Sequence, residues 1–317
     1  MVVSFFISCV VPLDPLASIA GPQAPEETVE RLRVLYGFDQ PIYIQFGRYV
    51  GRLLKGDLGK SFQTARPVLD DILAYFPATI ELAFVALIFA VMIGVPLGMM
   101  SAVYRNSVLD HFARVFSLLG VSMPVFWTGL VLLLIFYFNL GWFPEPGRLD
   151  IMLMEPDRIT GFLLIDSILA ADLEVFWDAL THMILPAFVL GFAGMAGISR
   201  IVRSSMLDVL SKEYIKTARI KGLNEFLVLV RHALRNALIP AVTVIGLTFG
   251  YLLEGSVLTE TIFAWPGLGR YLAQAYLTLD LNAVVGGTMI VAINFCVVNM
   301  FVDILYVFLN PQISLKE

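Results

Sequence analysis

Long apolar runs, separated by short polar segments, dominate the sequence. The hydrocarbon core of a membrane is about 30 Å thick, so a helix needs roughly 20 apolar residues to cross it. Five segments are long enough, namely residues 79–103, 115–138, 181–199, 238–258 and 284–309. The pattern therefore predicts an all-α, polytopic membrane protein that contains these five spanning helices.

Residues 1–11 are also apolar, but this run ends at Pro12 after about half of a span. It lacks the basic start and the small-residue cleavage site of a signal peptide. We therefore expect a first transmembrane helix that is truncated here and is completed by in-frame coding sequence upstream of Met1. The full-length form would then have six transmembrane helices.

The composition agrees with a membrane location. Hydrophobic residues make up 58% of the chain and charged residues 15%, and the mean hydropathy is +0.82. These values lie outside the usual range for a soluble domain. Membrane lipid is therefore an expected partner and nucleic acid is not. The three histidines do not have the spacing of metal ligands, so no metal site is expected.

The distribution of basic residues predicts which segments face the cytoplasm. Residues 200–236 carry eight Lys or Arg against three acidic residues, whereas residues 141–180 carry two against eight. The first segment is predicted to be a cytoplasmic loop and the second an external loop. Residues 12–78 are then external, residues 79–309 form the transmembrane domain, and residues 310–317 form a cytoplasmic tail. Both termini of the full-length form would be cytoplasmic.

The basic segment "SKEYIKTARIKGLNEFLVLVRHALRNALIP", residues 211–240, has a helical pattern. Its apolar residues recur at roughly helical spacing: Tyr214, Ile215, Ala218, Ile220 and Leu223. Gly222 provides a position where a helix can end and the chain can turn. The pattern predicts a helix, a glycine turn and a second helix. The composition of this segment leaves two other roles open. It could be an amphipathic segment that lies on anionic lipid, or its basic residues could serve only to fix the topology.

Four motifs resemble those of the permeases of ABC importers. "EYIKTARIKGL" followed by "RHALRNALIP" resembles their cytoplasmic EAA loop, with Lys216, Thr217 and Ala218 in place of the Glu-Ala-Ala triplet. Two of the three letters differ, which is common in the dipeptide, oligopeptide and nickel branch. "GDLGKSF" at 56–62, "FPATIELA" at 76–83 and "LTETIFAWPGLGR" at 258–270 resemble the first, B-type permease subunit of that branch. Together the motifs extend over nearly the whole chain.

This resemblance implies the type I permease fold of ABC importers and a multi-pass location in the bacterial inner membrane. It implies a complex with a second homologous permease, two ABC ATPase subunits and a periplasmic substrate-binding protein. ATP and Mg would bind to the ATPase subunits, while this chain would bind no cofactor and catalyse no reaction. Di- or oligopeptides are the expected substrates, and nickel chelates, haem and sugars remain alternatives.

The resemblance also implies that the short helix of the basic loop docks into a groove on an ATPase subunit and couples its movement to the spans. The expected contact residues are Glu213, Tyr214, Lys216, Thr217, Ala218, Lys221 and Gly222. Ala218 would be small so that the partner's backbone can approach. Arg231 and Arg235 are expected to anchor the following helix at the lipid surface.

Ionisable residues inside spans are candidates for function. They are Glu81, His182, Glu254 and Asp303. Asp303 is expected to have a structural hydrogen-bonding role. Glu254 could line a polar translocation path together with Asn294 and Asn299, although hydrogen bonding between helices also accounts for asparagines in a membrane.

Two further segments have predicted roles outside the spans. "ETIFAWPGLGRYLAQAYLTLD" is too polar and too interrupted to cross the membrane, and we expect an interfacial helix that is either an anchor or part of an outer gate. Its Phe263, Trp265 and Tyr271 are expected at the level of the lipid headgroups. "GDLGKS" imitates the end of a phosphate-binding loop, but Leu54 stands where that loop needs a glycine. Its glycines are therefore expected to form turns.

Two other classes of protein would have different sequence signatures. A self-contained secondary transporter should show inverted repeats and a pair of broken helices around an ion site, and no such repeat is visible in the sequence. A membrane enzyme should show a catalytic constellation at the end of a span, and none is visible.

Overall fold

The computed structural model describes residues 25–36, 39–53 and 55–309, which form helices joined by loops. The predicted first helix at 1–11 and the tail at 310–317 lie outside these residues, and so does the side chain of Asp303. The helices are α1 Glu26–Tyr36, α2 Ile42–Leu53, α3 Val68–Val103, α4 Val108–Ser122, α5 Val125–Asn139, α6 Leu163–Leu169, α7 Leu173–Leu210, α8 Glu213–Ile220, α9 Glu225–Ile262, α10 Leu268–Leu277 and α11 Leu281–Leu309. Parts of α5 and α9, Leu133–Asn139 and Val228–Leu234, are π-helical.

Four of the described helices, α3, α7, α9 and α11, are long and apolar enough to cross a membrane. The predicted span at 115–138 is not a single straight helix, because α4 and α5 meet there at an angle of 107°. The cause is Pro124, which cannot donate a helical hydrogen bond and keeps Met123 in an extended conformation with ψ at 128°. The bent pair counts as a fifth span only if both halves are taken together.

The spanning helices are longer than the predicted spans. Helix α3 begins at Val68 rather than at residue 79, and α7 extends from Leu173 to Leu210 around the predicted 181–199. The predicted loop at 200–236 is largely helical, because α7 continues to Leu210 and α9 begins at Glu225. Hydropathy identifies only the part of a helix that contacts lipid, whereas amphipathic turns continue the helix beyond it.

Helices α3 and α7 are parallel neighbours that approach closely at glycines. A Cβ atom on Gly98 would lie 2.5 Å from Ser199 O, and one on Gly191 would lie 2.5 Å from Ala86 O. Small residues permit this backbone contact, as in other membrane helix pairs. Residue numbers rise in the same direction along both helices. The chain between them, which includes α4 and α5, therefore leads from the end of α3 back to the level at which α7 begins.

Helix α9 runs antiparallel to α3 and α7, and α11 runs antiparallel to α9. Gly194 on α7 lies against Thr248, and Gly246 on α9 lies against Val302. We name the two ends of the bundle after the short helices that lie there. The α8 end holds Val103, Leu210 and the start of α9, and the α10 end holds the starts of α3, α7 and α11 together with α10.

Helix α10 has ten residues and does not span, as predicted. The aromatic residues that are predicted at headgroup level, Phe263, Trp265 and Tyr271, are 3%, 0% and 4% exposed, so their side chains are buried in the protein and do not contact lipid. Trp265 Nε1 donates a hydrogen bond to Ala78 O at 2.9 Å. The aromatic side chains thus fix α10 to the protein interior rather than to lipid.

Candidate functional site

Helix α8 is seated firmly on the α8 end of the bundle. Its Ile215 and Ala218 are 0% and 8% exposed and belong to the hydrophobic core that α7 and α9 share. Arg219 Nη2 lies 2.7 Å from Glu225 Oε1, which joins the end of α8 to the start of α9. The hydrogen bond from Arg219 to the Glu225 carboxylate raises the pKa of this guanidinium.

The turn after α8 has the predicted form of a helix, a glycine turn and a second helix. Gly222 has φ at +78°, a conformation that side chains with a Cβ rarely adopt. No atom lies within 4 Å of the position where its Cβ would be. Glycine is therefore needed here for its backbone conformation and not for lack of space. Asn224 Oδ1 then accepts a hydrogen bond from Phe226 N at 2.9 Å and caps the first turn of α9.

Six of the seven predicted contact residues lie on the surface of this segment. Exposed are Glu213, Tyr214, Lys216, Thr217, Lys221 and Gly222. Ala218 differs, because its side chain packs against this chain's own core, and this packing explains why the residue is small.

Sequence reasoning missed the apolar surface beside these residues. Ile220 is 85% exposed, Phe226 71% and Leu223 37%. We call these three residues, together with Tyr214, the α8 ridge. The sequence signal for this surface would have been the position of Ile220, Leu223 and Phe226 between charged residues in a loop. Exposed apolar clusters rimmed by polar residues are typical of protein contact surfaces.

A buried ionic cluster fixes the helices behind α8. Asp110 is fully buried at the start of α4, and its Oδ1 accepts from Arg203 Nε of α7 at 2.9 Å and from Ser101 Oγ of α3 at 2.6 Å. The sequence did not reveal this cluster, because residue 110 precedes the predicted span. Three helices therefore meet at one carboxylate, which makes this end of the bundle a single unit.

A second buried carboxylate, Glu260, organises the α10 end. Thr79 Oγ1 of α3 donates to Glu260 Oε1 at 2.7 Å, and Arg270 N of α10 donates to Oε2 at 2.8 Å. A Cβ atom on Gly267 would lie 2.4 Å from the carboxyl carbon of Glu260, so only glycine fits beside it. The motif "LTETIFAWPGLGR" thus contains both the Glu260 carboxylate and the turn at Gly267 that packs around this carboxylate.

Helix α10 covers a cavity of about 250 Å³ that α3, α9 and α11 also line. Glu254 and Asn294 both line this cavity, as the predicted translocation path requires, whereas Asn299 lies outside its lining. Thr79 and Gly269 belong both to the cavity lining and to the surroundings of Glu260. The Glu260 cluster therefore forms the roof of the cavity.

Glu81 and His182, which are also predicted as candidates, have structural partners. Glu81 Oε2 lies 2.6 Å from Arg148 Nη2, and both side chains are almost completely buried. Glu81 Oε1 also accepts from Leu164 N at 2.8 Å. His182 Nδ1 lies 2.9 Å from Asp178 O within the same helix. The Glu81 contacts hold the segment between α5 and α7 against α3, whereas the His182 contact lies within α7.

The glycines of "GDLGKS" form turns, as predicted, with φ at +77° for Gly56 and +83° for Gly59. The loop is held by Asp280, whose Oδ2 accepts from Ser61 Oγ at 2.6 Å and from Phe62 N at 2.7 Å. Ser61 therefore has a structural role at the α10 end, because its hydroxyl binds Asp280.

A family model described as "Binding-protein-dependent transport system inner membrane component" matches residues 94–315. The chain belongs to this family. A second model, for the N-terminal part of such membrane components, matches residues 1–83 of the permease. The predicted resemblance to ABC importer permeases is confirmed, and the family match excludes the alternative of a self-contained secondary transporter.

The permease is similar to curated relatives along nearly its full length. It is 47% identical to the "Probable D,D-dipeptide transport system permease protein DdpB" of Escherichia coli (strain K12), over 99% of this chain and 92% of the relative. It is 45% identical to the "Di/tripeptide transport system permease protein DppB" of Pseudomonas aeruginosa (strain UCBPP-PA14), over 98% of this chain and 92% of the relative.

The fold of the permease also resembles a solved structure. A chain of the MetNI methionine ABC transporter in an inward-facing conformation matches with a TM-score of 0.55 at 17% identity, over 73% of this chain and 93% of that chain. This similarity confirms the predicted all-α permease fold.

Proposed function

We propose that this permease forms half of the translocation path of an ATP-driven importer of di- or oligopeptides. Two relatives that cover almost the whole chain are named for dipeptide and di/tripeptide transport, which supports a peptide substrate. The other half of the path would come from a second homologous permease. Two separate ABC ATPase subunits would bind ATP and Mg, and a periplasmic binding protein would deliver the substrate.

The α8 end faces the cytoplasm in this proposal, because it carries the segment in which Lys and Arg predominate. The loops of the α10 end, where acidic residues predominate, then face the periplasm and the binding protein. The C-terminal tail then lies in the cytoplasm, and the protein lies in the bacterial inner membrane.

The observation that carries the coupling role is the seating of α8. Its buried residues, Ile215 and Ala218, fix it to α7 and α9, while the α8 ridge and the neighbouring polar residues remain exposed. A short helix held in this way cannot move without the two long helices that flank it. Helix α9 has 38 residues, which at 1.5 Å per residue is about 57 Å, and it connects α8 to Glu254 and Glu260. Movement of an ATPase groove around α8 would therefore reach the cavity under α10.

The contact set that we propose combines the predicted residues with the ridge. Glu213, Tyr214, Lys216, Thr217, Lys221 and Gly222 supply polar contacts and the turn, and Ile220, Leu223 and Phe226 supply apolar area. Apolar and aromatic anchors contribute most of the energy of such interfaces, so the ridge should dominate the binding.

The test compares two exposed apolar residues at the same end of the bundle. Ile220 is 85% exposed on the ridge, and Val108 is 87% exposed at the start of α4. In liposomes that contain the assembled complex, Ile220→Ser should lower ATP hydrolysis stimulated by loaded binding protein about tenfold, a change of roughly 1.4 kcal/mol in contact energy. It should also lower the recovery of the permease on a tagged ATPase subunit.

Val108→Ser is the control and should change both measurements less than about twofold, as expected for a residue outside the contact. If Ile220→Ser and Val108→Ser behave alike, the α8 ridge does not contact the ATPase and the coupling role is refuted.

A further inference from the structure

Glu254 is an isolated carboxylate on a membrane-spanning helix. It lies eight residues before the end of α9 at Ile262, which corresponds to about 12 Å along the helix axis. Its side chain is exposed, and no described residue forms a hydrogen bond or an ion pair with it. Acidic residues in spans normally face a partner or a polar pathway, because contact with lipid is unfavourable.

The buried acidic side chains in the described spans have partners, and the exposed ones without a partner other than Glu254 lie in the first or last turn of their helices, namely Asp70, Glu174 and Asp208. Glu81 pairs with Arg148, Asp110 with Arg203, and Glu260 with Thr79 and the backbone of α10. Asp71 at the start of α3 pairs with Arg66. Glu254 differs from both groups, because it is exposed about two turns inside its helix and lines the cavity, so a partner would come from outside the described residues.

The surroundings of Glu254 indicate what that partner is. The cavity of about 250 Å³ is lined mainly by apolar side chains such as Leu253 and Phe295, and none of the described residues that line it is Lys, Arg or His. Further oxygen atoms come from Asn294, Thr288 and Tyr276. The site thus offers a negative charge and several hydrogen-bond acceptors inside an apolar wall, which suits a cation that carries several N–H donors.

We propose that this cavity binds the α-ammonium group of a peptide in transit, with Glu254 as its counter-ion. This inference rests on the proposed peptide importer function and names the residue that contacts the substrate. A primary ammonium has three donors, and in an apolar cavity its attraction to a carboxylate is much stronger than in water. A volume of about 250 Å³ equals about eight water molecules, enough for the amino-terminal residue of a peptide while the remainder extends outward.

The alternative partner is a basic side chain of a second permease. In that case the carboxylate would be part of a subunit interface, and its removal would weaken assembly. A substrate site instead predicts normal assembly and normal ATP hydrolysis with defective peptide movement. The two roles therefore differ in which measurement changes.

The experiment uses the complete complex reconstituted in liposomes, with radiolabelled L-alanyl-L-alanine as the probe. Glu254→Gln should lower uptake of this dipeptide about tenfold, as expected for the loss of one charge-assisted contact. ATP hydrolysis stimulated by the loaded binding protein, and the yield of assembled complex, should stay within about twofold of the wild type. Glu254→Asp keeps the charge and should retain most of the uptake.

Glu174→Gln is the matched control, because it removes the same charge from an exposed residue at the start of α7, at the same end of the bundle and outside the cavity lining. Its uptake should equal that of the wild type. Uptake by Glu254→Gln at the wild-type level would overturn the proposal. Loss of assembly in Glu254→Gln would also overturn it and would assign Glu254 to a subunit contact.

A second probe, L-lactoyl-L-alanine, carries a hydroxyl group in place of the ammonium group. The wild-type complex and the Glu254→Gln complex contain the same binding protein. Any preference of the binding protein for one probe therefore affects both complexes equally and cancels when their uptake ratios are compared. The preference for the dipeptide should fall about tenfold in the variant. An unchanged preference would overturn the proposal. A wild-type complex whose ATP hydrolysis does not respond to the binding protein would instead refute the importer function, and this inference with it.

Discussion

Thr79 Oγ1 lies 2.7 Å from Glu260 Oε1, although the two residues are 181 positions apart in the sequence. The same hydroxyl oxygen accepts a hydrogen bond from Leu268 N at 2.8 Å. Thr79 therefore joins α3 to the end of α9 and to the first residue of α10. This junction is the roof of the cavity that contains Glu254, so the position of α10 depends on it.

The first prediction is that Thr79→Val destabilises the protein by about 1–3 kcal/mol. The substitution keeps the size of the side chain but leaves the buried Glu260 carboxylate and Leu268 N each without one partner. Thermal unfolding in detergent measures the effect. Thr261→Val is the control, because Thr261 is exposed and its hydroxyl bonds only to Val257 O of its own helix. Equal Tm values for the two variants would contradict the role of Thr79.

The second prediction concerns the space around Glu260. Gly267→Ala would place a methyl group 2.4 Å from the Glu260 carboxyl carbon, so the carboxylate must move out of its hydrogen bonds. We expect a clear drop in Tm and lower uptake of dipeptide, since α10 loses its attachment. Gly255→Ala on α9 meets no atom within 4 Å and should leave Tm unchanged or raise it. If Gly267→Ala unfolds at the wild-type temperature, Glu260 does not require this glycine.

The third prediction separates backbone conformation from space at the α8 turn. Since φ is +78° at Gly222 and nothing lies near its Cβ position, Gly222→Val should impair stimulated ATP hydrolysis severely, whereas Gly222→Asn should be milder. Asparagine tolerates the left-handed conformation far better than a β-branched residue does. Arg231→Gln removes one anchoring charge, leaves the turn intact and should have little effect. Equal activities of the valine and asparagine variants would argue against a conformational requirement.

The fourth prediction addresses the cluster behind α8. Arg203→Met removes the nearer cation of the fully buried Asp110 and leaves only Arg114, whose Nε lies 3.5 Å from Asp110 Oδ1, so we expect a loss that approaches the about 3–5 kcal/mol of a broken buried pair. Asp110→Asn combined with Arg203→Met should recover part of that loss, because no buried carboxylate remains. Arg200→Met replaces an exposed neighbour and should be nearly neutral. Unfolding in denaturant ranks the three variants, and a neutral Arg203→Met would contradict the prediction.

The fifth prediction is a pH effect in the segment between α5 and α7. Burial raises the pKa of Asp166, but hydrogen bonds from Thr160 and from Gly161 N outweigh it and leave this pKa below its usual value. A lowered pKa in the folded state means that the stabilisation is complete above the ordinary pKa of about 3.9 and is lost as the pH falls through the folded value.

Amide hydrogen exchange of residues 159–167 checks this expectation. Protection should be constant from pH 7 to about pH 5, after correction for the intrinsic exchange rate, and should fall below about pH 4. Asp166→Asn should show reduced protection already at neutral pH. Constant protection in the wild type through the acidic range would contradict the assignment.

The sequence alone determined the features that depend on local pattern. The length of an apolar run decides whether a helix can cross a bilayer, so α3, α7, α9 and α11 were predictable even though their ends were not. The turn at Gly222 was predictable for the same reason, because helical spacing and a single glycine are adjacent in the chain. The family motifs likewise lie in continuous stretches.

The tertiary structure decided which side chains meet. Glu260 and Thr79 are far apart in sequence, and so are Asp110 and Arg203, and no local periodicity encodes either pair. In a membrane protein an apolar side chain that faces lipid and one that faces the core look alike in sequence, so the burial of Trp265 and the isolation of Glu254 could not be predicted. Only the packing of whole helices distinguishes these surroundings, because both are apolar and both satisfy the same hydrophobic pattern.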